Sequence, residues 1–315
     1  MKRRNVIGFA AILLAAALLA VYKPGVLGFK PNMKSSAAVL MDMSSGMIWV
    51  NIHGDVPMPP ASISKMMTEM IVLDRIAEGR TKWEDHVPVS LYASSVGGAT
   101  LSLRRGETYT VRELFEGIAV YSANDAAIAL AEHTAGSESA FVTLMNEKAR
   151  SLGLSKGTLF ANASGLSAKD LGPNRPQGYR SEETMMTAED TAKLAAALIS
   201  SHPEVLNTSS KTQMRLKGKG LYVSNTNSML PAMGGAYAYE GNDGLKTGYD
   251  IRTGYCIAGT AERDGHRLIA VVMGAETSGE RFEEASKLLD YGFYLSLSPG
   301  DRIKYFMQKI GSVLG

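Results

Sequence analysis

The sequence predicts an α+β fold: an antiparallel sheet formed from both ends of the chain and flanked by helices, with a helical subdomain inserted between them. Two strand-like segments near the start, 37–42 and 46–51, are joined by a short Met-Ser-Ser turn and predict one hairpin. Two more near the end, 253–261 and 266–275, are separated by an Asp-Gly turn, which is a strong hairpin signal. The segments between the hairpins carry the apolar spacing of helices, and this order of elements is typical of an α+β domain.

The first predicted helix spans residues 62–78, because its methionines and Leu73 recur at spacings of three and four and Gly79 stops the pattern. A later helix opens with Thr187 and Asp190, which are placed like a capping box. Besides the first, the predicted helices span 111–120, 124–135, 137–152, 187–200 and 280–291.

Two long loops are predicted, at 167–184 and 231–243. Loops of this length inside compact domains are usually functional or mobile. The second leads into Gly-Leu-Lys-Thr-Gly, where a further strand is predicted to begin at Lys246 and to run towards the second hairpin.

Composition and charge argue against several classes of function. The chain has 315 residues, 45% of them hydrophobic and 20% charged, with a formal net charge of +2. A charge this close to neutral gives no electrostatic basis for binding nucleic acid. The five histidines are scattered without metal-site spacing, and the single Cys256 lies in an apolar run, where a small core residue is expected. We therefore expect no metal, no cofactor and no nucleic-acid partner.

The amino terminus has the pattern of an export signal, because MKRRN is followed by an uncharged apolar run from Val6 to about Val21. As a helix this run would reach roughly 24 Å, short of the ~30 Å hydrocarbon core of a bilayer. The length favours a cleaved signal, but no clean small-residue cleavage site follows, so a membrane anchor stays open. We assign residues 1–33 to this segment and its linker, and expect an exported protein.

The carboxyl terminus forms a separate tail, residues 296–315, after a folded domain at 34–295. Ile303, Phe306 and Ile310 recur at helical spacing in the tail, with basic residues elsewhere. Such a helix could lie on a membrane surface. Packing on the domain is an equal alternative.

The segment PPASISKMM (59–67) carries a serine and a lysine one helical turn apart, and Ser62 and Lys65 therefore share a helix face. A serine hydroxyl is a poor nucleophile until a base takes its proton, and lysine can be that base where burial or nearby cations lower its pKa. The start of a helix also offers free N–H groups that stabilise an oxyanion. Alone, the pattern equally fits an ordinary helix start with a solvated lysine.

Two further tripeptides support the nucleophile interpretation. Ser-Ala-Asn at 122–124 falls at a break between two predicted helices, where side chains can point into a cleft. Lys-Thr-Gly at 246–248 falls at the predicted strand start, and a second lysine there would lower the pKa of Lys65. Gly248 would allow another backbone to approach closely. Three such motifs in this order are far more specific than any one of them.

Together, S-x-x-K, S-x-N and K-T-G resemble the motifs of the penicillin-recognising serine acyl transferases. Within that group, the chain looks like the low-molecular-mass penicillin-binding proteins that are serine-type D-alanyl-D-alanine carboxypeptidases. The similarity runs from about residue 34 to 295. It is densest at 59–68, 121–146, 243–249 and 271–293. The resemblance implies a β-lactamase/transpeptidase-like fold, peptidoglycan stem peptides as substrate at the cell wall, and β-lactams as covalent inhibitors.

The resemblance also implies catalytic roles. Ser62 attacks the carbonyl between two D-alanines, and Lys65 accepts its proton. Ser122 relays a proton to the departing amine, while Asn124 hydrogen-bonds the substrate backbone and helps to hold Lys65.

Five further residues are expected to bind the substrate: Lys246, Thr247, Gly248, Tyr249 and Arg281. By the resemblance, Lys246 sets the local field, and Thr247 and Arg281 contact the terminal carboxylate. The backbone N–H groups of Ser62 and Tyr249 form the oxyanion hole.

Two other functions stay open. A class A β-lactamase shares the three motifs but needs a glutamate on a loop between the second and third, and Glu182-Glu183 lacks the expected E-x-x-L-N context. A penicillin sensor or scaffold would acylate without turnover. Release of D-alanine separates both from a carboxypeptidase.

Overall fold

The computed structural model describes residues 31–176 and 183–305 of the chain. In chain order the strands are β1 (Ala37–Asp42), β2 (Ile48–Ile52), β3 (His86–Pro88), β4 (Thr108–Thr110), β5 (Gln213–Leu216), β6 (Leu221–Ser224), β7 (Asn242–Asp250), β8 (Gly254–Arg263) and β9 (His266–Ala275). Five of them form an antiparallel sheet in the order β2-β1-β9-β8-β7. Because β1 pairs with β9, the two ends of the chain build one sheet, which confirms the predicted fold class.

The helices that lie wholly within the described residues are α1 (Lys65–Ala77), α2 (Val111–Tyr121), α3 (Asn124–Ala135), α4 (Glu138–Ser151), α5 (Ala188–Ser201), α6 (Val205–Ser209) and α7 (Ser278–Ser296). α7 packs on β8 and β9 from one side of the sheet, and α5 packs on β1 and β9. The helices between the two strand pairs thus form the inserted helical block.

Apolar side chains cover both faces of the sheet. Because successive residues of a strand point to opposite faces, alternate residues of one strand belong to different cores. In β1, Ala37, Val39 and Met41 belong to the core shared with the helical block. Ala38 and Leu40 belong to the second core, which α7 completes. The sheet is therefore a buried middle layer, and burial of both faces makes its register well specified.

The strand β7 positions the site, because it pairs with β8 on one side and is otherwise an edge. It packs against a 3-10 turn, Ala61–Ser64, which immediately precedes α1. The sheet and the helical block therefore meet at the start of α1.

The structure corrects three predicted boundaries. Residues 62–64 belong to the 3-10 turn, and α1 begins at Lys65 rather than at Ser62. β7 begins at Asn242, four residues before the predicted start, because pairing with β8 continues across an irregularity between Asn242 and Gly244. α7 continues to Ser296 rather than ending at residue 291.

The predicted capping box on α5 is only half formed. The Thr187 side chain accepts from the Asp190 N–H, as expected. The Asp190 carboxylate instead accepts from the hydroxyls of Ser155 and Thr158 at 2.6 and 2.8 Å. It therefore ties the loop after α4 to the start of α5.

The antiparallel strand pairs β3–β4 and β5–β6 and the helix α6 were not predicted, because segments of three to five residues carry too little periodicity. The predicted loop at 231–243 contains a short 3-10 turn, Pro231–Met233, and ends where β7 begins. The described part of the loop at 167–184 has no regular helix or strand.

Within the described residues, no helix has both the length and the apolar character needed to cross a membrane. The apolar run that predicts export lies at residues 1–30, outside the described residues. Residues 299–305 of the predicted tail are helical, and residues 306–315 lie outside the description.

Candidate active site

Ser62 lies in the 3-10 turn, and the neighbouring backbone holds this turn tightly. Ala61 adopts φ 51°, a conformation that costs energy for a residue with a Cβ and persists only where its surroundings impose it. The Ser64 hydroxyl donates to the Ala61 carbonyl at 3.0 Å. Gly165 approaches from the other side, where a Cβ would lie only 2.2 Å from the same carbonyl oxygen. The backbone on both sides of Ser62 is therefore held in place by packing.

Lys65 is buried beneath Ser62, and its Nζ has three hydrogen-bonding neighbours. It lies 2.7 Å from Ser62 Oγ, 2.7 Å from Asn124 Oδ1 and 2.6 Å from the Ser164 carbonyl oxygen. The last two atoms can only accept, so two N–H bonds of the amine point at them. The remaining contact is to a hydroxyl, which can donate. A neutral Lys65 therefore aims its lone pair at the Ser62 proton, the geometry of a base aligned with a nucleophile.

The electrostatic surroundings favour the neutral amine. Burial lowers the pKa of Lys65 well below its ordinary value, and the nearby Lys246 cation lowers it further, while Glu69 and Asp125 oppose the shift. Lys65 therefore loses its proton at a lower pH than a solvated lysine. This is the property required of a general base.

The break between α2 and α3 brings Ser122 and Asn124 to the site. Ser122 ends α2 in the left-handed conformation, with φ 68° and ψ 29°, and its buried Oγ has no hydrogen-bond partner within the described residues. Asn124 is bonded on both sides: its Oδ1 accepts from Lys65, and its Nδ2 donates to the Gly97 carbonyl at 2.8 Å. Asn124 thus fixes Lys65, whereas the Ser122 hydroxyl is left able to bond an incoming group.

Lys246 and Thr247 are buried in the middle of β7. Burial lowers the pKa of Lys246 to about 8; Glu69 opposes this shift, and Arg281 adds to it. The Thr247 hydroxyl donates to the Thr226 hydroxyl at 2.6 Å. The strand therefore presents a cation and an oriented hydroxyl next to each other.

Gly248 sets the distance between β7 and the Ser62 turn. A Cβ at this position would lie 2.8 Å from the Pro60 carbonyl oxygen and 3.2 Å from the Ser62 backbone nitrogen. This is the close backbone approach expected for a glycine here. The next residue, Tyr249, is 55% exposed, and its ring contacts that of Tyr255 at a tilt of 38°, with 4.5 Å between centroids.

Arg281 reaches β7 from the first turn of α7. Its guanidinium donates to the Gly248 carbonyl at 3.0 Å and to Ser278 Oγ at 3.2 Å. Burial lowers its pKa to about 10. Arg281 is therefore part of the site's surroundings and not a solvated helix residue.

The structure also places three residues at the site that were not predicted. Ser164 contributes its carbonyl to Lys65, Thr226 its hydroxyl to Thr247, and Glu69 a buried carboxylate that interacts with both lysines. The sequence gives little sign of them, because any residue can offer a carbonyl and the other two belong to no motif. The Asn-Ala-Ser-Gly stretch at 162–165 does predict a turn, which is where Ser164 lies.

Within residues 31–176 and 183–305, no group of three or more His, Cys, Asp or Glu side chains could hold a metal ion. Glu183, one of the two glutamates considered for a β-lactamase, accepts from the Ala168 N–H at 3.2 Å and pairs with Arg252 at 3.4 Å. Its carboxylate therefore joins its loop to the β7–β8 turn. Glu182 lies outside the described residues.

Comparison with known proteins finds one family throughout. A family model described as D-alanyl-D-alanine carboxypeptidase, peptidase S11, matches residues 27–277. The chain is 33% identical over 290 residues to the D-alanyl-D-alanine carboxypeptidase DacF of Bacillus subtilis, covering 89% of this chain and 69% of that relative. It is 33% identical over 276 residues to DacC of Escherichia coli, covering 84% of this chain and 62% of the relative.

The structure is also similar to a solved one, the penicillin-binding protein D2 of Listeria monocytogenes in its ampicillin-bound form. The TM-score is 0.72 at 33% sequence identity, over 84% of this chain and 100% of that chain.

Proposed function

This chain belongs to the D-alanyl-D-alanine carboxypeptidase family, and from that membership and the site geometry we propose that it is a serine-type carboxypeptidase that removes the terminal D-alanine from peptidoglycan stem peptides. The observation that carries this proposal is the buried Lys65 amine, 2.7 Å from the Ser62 hydroxyl and held there by two acceptor-only oxygens.

The acylation step follows from these contacts. Lys65 Nζ takes the Ser62 proton as Oγ forms a bond to the carbonyl carbon between the two D-alanines. The C–N bond then breaks, and the departing D-alanine amine receives a proton through the Ser122 hydroxyl. Water subsequently hydrolyses the ester on Ser62 and regenerates the free hydroxyl.

The substrate is held by groups on β7 and α7. Thr247 and Arg281 recognise its terminal carboxylate in the positive field of Lys246. The backbone N–H groups of Ser62 and Tyr249 donate to the developing oxyanion, and such donors typically accelerate acyl transfer by about 10²–10³-fold each. Gly248 supports both functions, because it lets β7 lie directly against the Ser62 turn.

A β-lactam would acylate Ser62 by the same step. Its leaving amine stays attached through the opened ring, so it blocks the return of water and inhibits the enzyme. The related Listeria protein in its ampicillin-bound form supports this part of the proposal.

We place this activity outside the cytoplasmic membrane, at the cell wall, with residues 34–295 as the catalytic domain. Support comes from the basic start followed by an apolar run, which has the pattern of an export signal. Residues 1–33 then act as a cleaved signal or an anchor, and the tail at 296–315 either lies on the membrane surface or packs on the domain. Mass spectrometry of the cellular protein distinguishes cleavage from anchoring by the mass of the amino terminus.

The function is tested by release of D-alanine from a pentapeptide that ends in D-Ala-D-Ala, alongside covalent labelling with a fluorescent penicillin. We expect the full-length protein to release D-alanine and to be labelled, and Ser62→Ala to do neither. Rapid penicillin turnover without D-alanine release would instead indicate a β-lactamase. Stable labelling without D-alanine release would indicate a sensor or scaffold.

A further inference from the structure

Glu69 is a buried acid that the proposed chemistry does not use. It lies on α1 one turn after Lys65, so both side chains occupy the same helix face. Only 1% of Glu69 is exposed, and its Oε1 has no hydrogen-bond partner within the described residues. Buried carboxylate oxygens are normally bonded, because an unpaired buried charge is costly. The position of this carboxylate therefore requires an explanation.

Ionisable groups from four elements interact in this region. Lys65 and Glu69 on α1 interact with Lys246 on β7, and Lys65 also interacts with Asp125 on α3. Arg281 on α7 acts on Lys246. Both oxygens of the Asp125 carboxylate accept hydrogen bonds, from the backbone N–H groups of Leu101, Leu103 and Ala126. Glu69 has no such bonds. Its interaction with the cluster is therefore one of charge with the two lysines.

The charges of this cluster balance when Glu69 is ionised and only one of the two lysines is charged. With Lys65 neutral, the two cations Lys246 and Arg281 equal the two anions Asp125 and Glu69. If Glu69 carried no charge, the buried cluster would hold an excess positive charge. A guanidinium keeps its proton in proteins, so Lys246 is the group that would give one up.

We propose, on the basis of the function proposed above, that Glu69 is a positioning residue whose buried carboxylate keeps Lys246 a cation during acylation.

The directions of the pKa shifts agree with this proposal. Burial raises the pKa of Glu69 itself to about 7, so its carboxylate is charged across the alkaline limb. The charged carboxylate raises the pKa of both Lys65 and Lys246. Acylation requires neutral Lys65, so the rate rises with pH through the Lys65 pKa. It also requires charged Lys246, so the rate falls as pH rises through the Lys246 pKa, about 8. Removing the carboxylate charge lowers both pKa values and therefore moves both limbs of the pH profile to lower pH.

The test measures the second-order rate constant for acylation by a fluorescent penicillin between about pH 5 and 10, using the full-length protein. We compare wild type, Glu69→Gln and the matched control Glu132→Gln. Glu132 also has a buried oxygen without a partner, but it lies on α3 two turns beyond Asn124 and its pKa shift involves no lysine. A pKa displacement of one unit corresponds to about a tenfold change in rate on the affected limb.

For Glu69→Gln we expect the alkaline limb to move to lower pH by about one unit, with a loss of about fivefold at pH 8 that approaches tenfold at higher pH, and no loss on the acid limb. Glu132→Gln should follow the wild-type profile. If Glu69→Gln does not fold, Glu69→Met removes the same charge without burying an unpaired polar atom, and the same displacement is expected.

The inference is overturned if the charge-removing variant follows the wild-type profile, or loses the same factor at every pH. A failure of the proposed function looks different, because wild type itself would then neither be labelled nor release D-alanine.

Discussion

The hydroxyl of Thr226 is the nearest support of the proposed carboxylate-binding Thr247, at 2.6 Å. The backbone N–H of Thr226 donates to the Val120 carbonyl at 3.2 Å, so Thr226 is itself anchored beside the α2–α3 break. For Thr226→Val we expect the KM for the D-Ala-D-Ala peptide to rise about five- to tenfold with kcat within about twofold, because one hydrogen bond contributes about 1 kcal/mol and acts here on binding. Steady-state kinetics of D-alanine release measure KM and kcat separately.

Thr226→Ser keeps the hydroxyl and should restore a KM close to that of wild type. The expectation is contradicted if Thr226→Ser is as impaired as Thr226→Val, or if kcat falls as much as the specificity constant.

At the residue scale, the sequence predicted the side chains that belong to motifs and missed those that act through the backbone or through burial. Ser62 and Lys65 could be paired because helix geometry fixes the relation between positions i and i+3. The Ser164 carbonyl could not be found, because it reaches Lys65 from 99 positions along the chain. From the sequence, Glu69 is expected on the surface of an amphipathic helix, but the structure shows that it is buried.

At the scale of elements, the separation between β7 and the Ser62 turn is set by Gly248. In Gly248→Ala the new Cβ would lie 2.8 Å from the Pro60 carbonyl oxygen, a backbone atom that cannot rotate away. We expect acylation by penicillin to slow about 100-fold, because displacements near 1 Å at a reacting group cost on that order. Overpacking should also cost about 1–3 kcal/mol in the free energy of unfolding.

Gly259→Ala on β8 provides the matched control. Its nearest non-neighbour atom would lie at 3.7 Å, an ordinary contact. It should acylate within about threefold of wild type. Equal acylation rates in the two variants would show that the close approach at Gly248 does not position the site.

The long elements were predictable because their patterns repeat over several turns or strand residues. The helices at 111–120 and 124–135 and the Asp-Gly hairpin of β8 and β9 agree with the structure within a residue or two. The start of α1 was not predictable, since the 3-10 turn depends on contacts of Ala61 with the distant Gly165. Sequence periodicity contains no information about such a contact.

At the scale of the whole molecule, Glu284 joins the two ends of the domain. Its buried carboxylate accepts from the backbone N–H groups of Lys34 at 2.6 Å and Ser35 at 3.1 Å, just before β1. For Glu284→Ala we expect the free energy of unfolding to fall by about 3 kcal/mol, because two charge-assisted hydrogen bonds are lost and two donors are left without them. Urea denaturation measures the change.

The exposed neighbour Glu283 provides the control, and Glu283→Ala should stay within about 0.5 kcal/mol of wild type. If both variants unfold at the same urea concentration as wild type, the two ends are held together by the β1–β9 pairing alone.

The overall topology was predictable because the two hairpins lie at opposite ends of the chain and each would leave an apolar face exposed unless they shared a sheet. The pairing of β1 with β9, and the packing of β7 on the turn before α1, depend on side-chain volumes distributed over the whole core. The sequence therefore predicts that these elements share one domain, but not which of their residues pair or pack together.

The central claim is that Ser62 is the nucleophile. Peptide mapping by mass spectrometry after incubation with benzylpenicillin tests it most directly. We predict one acyl adduct with the mass of the intact drug, on the peptide that contains Ser62, and no adduct in Ser62→Ala. An adduct on any other residue, or an undiminished adduct in Ser62→Ala, would contradict the account.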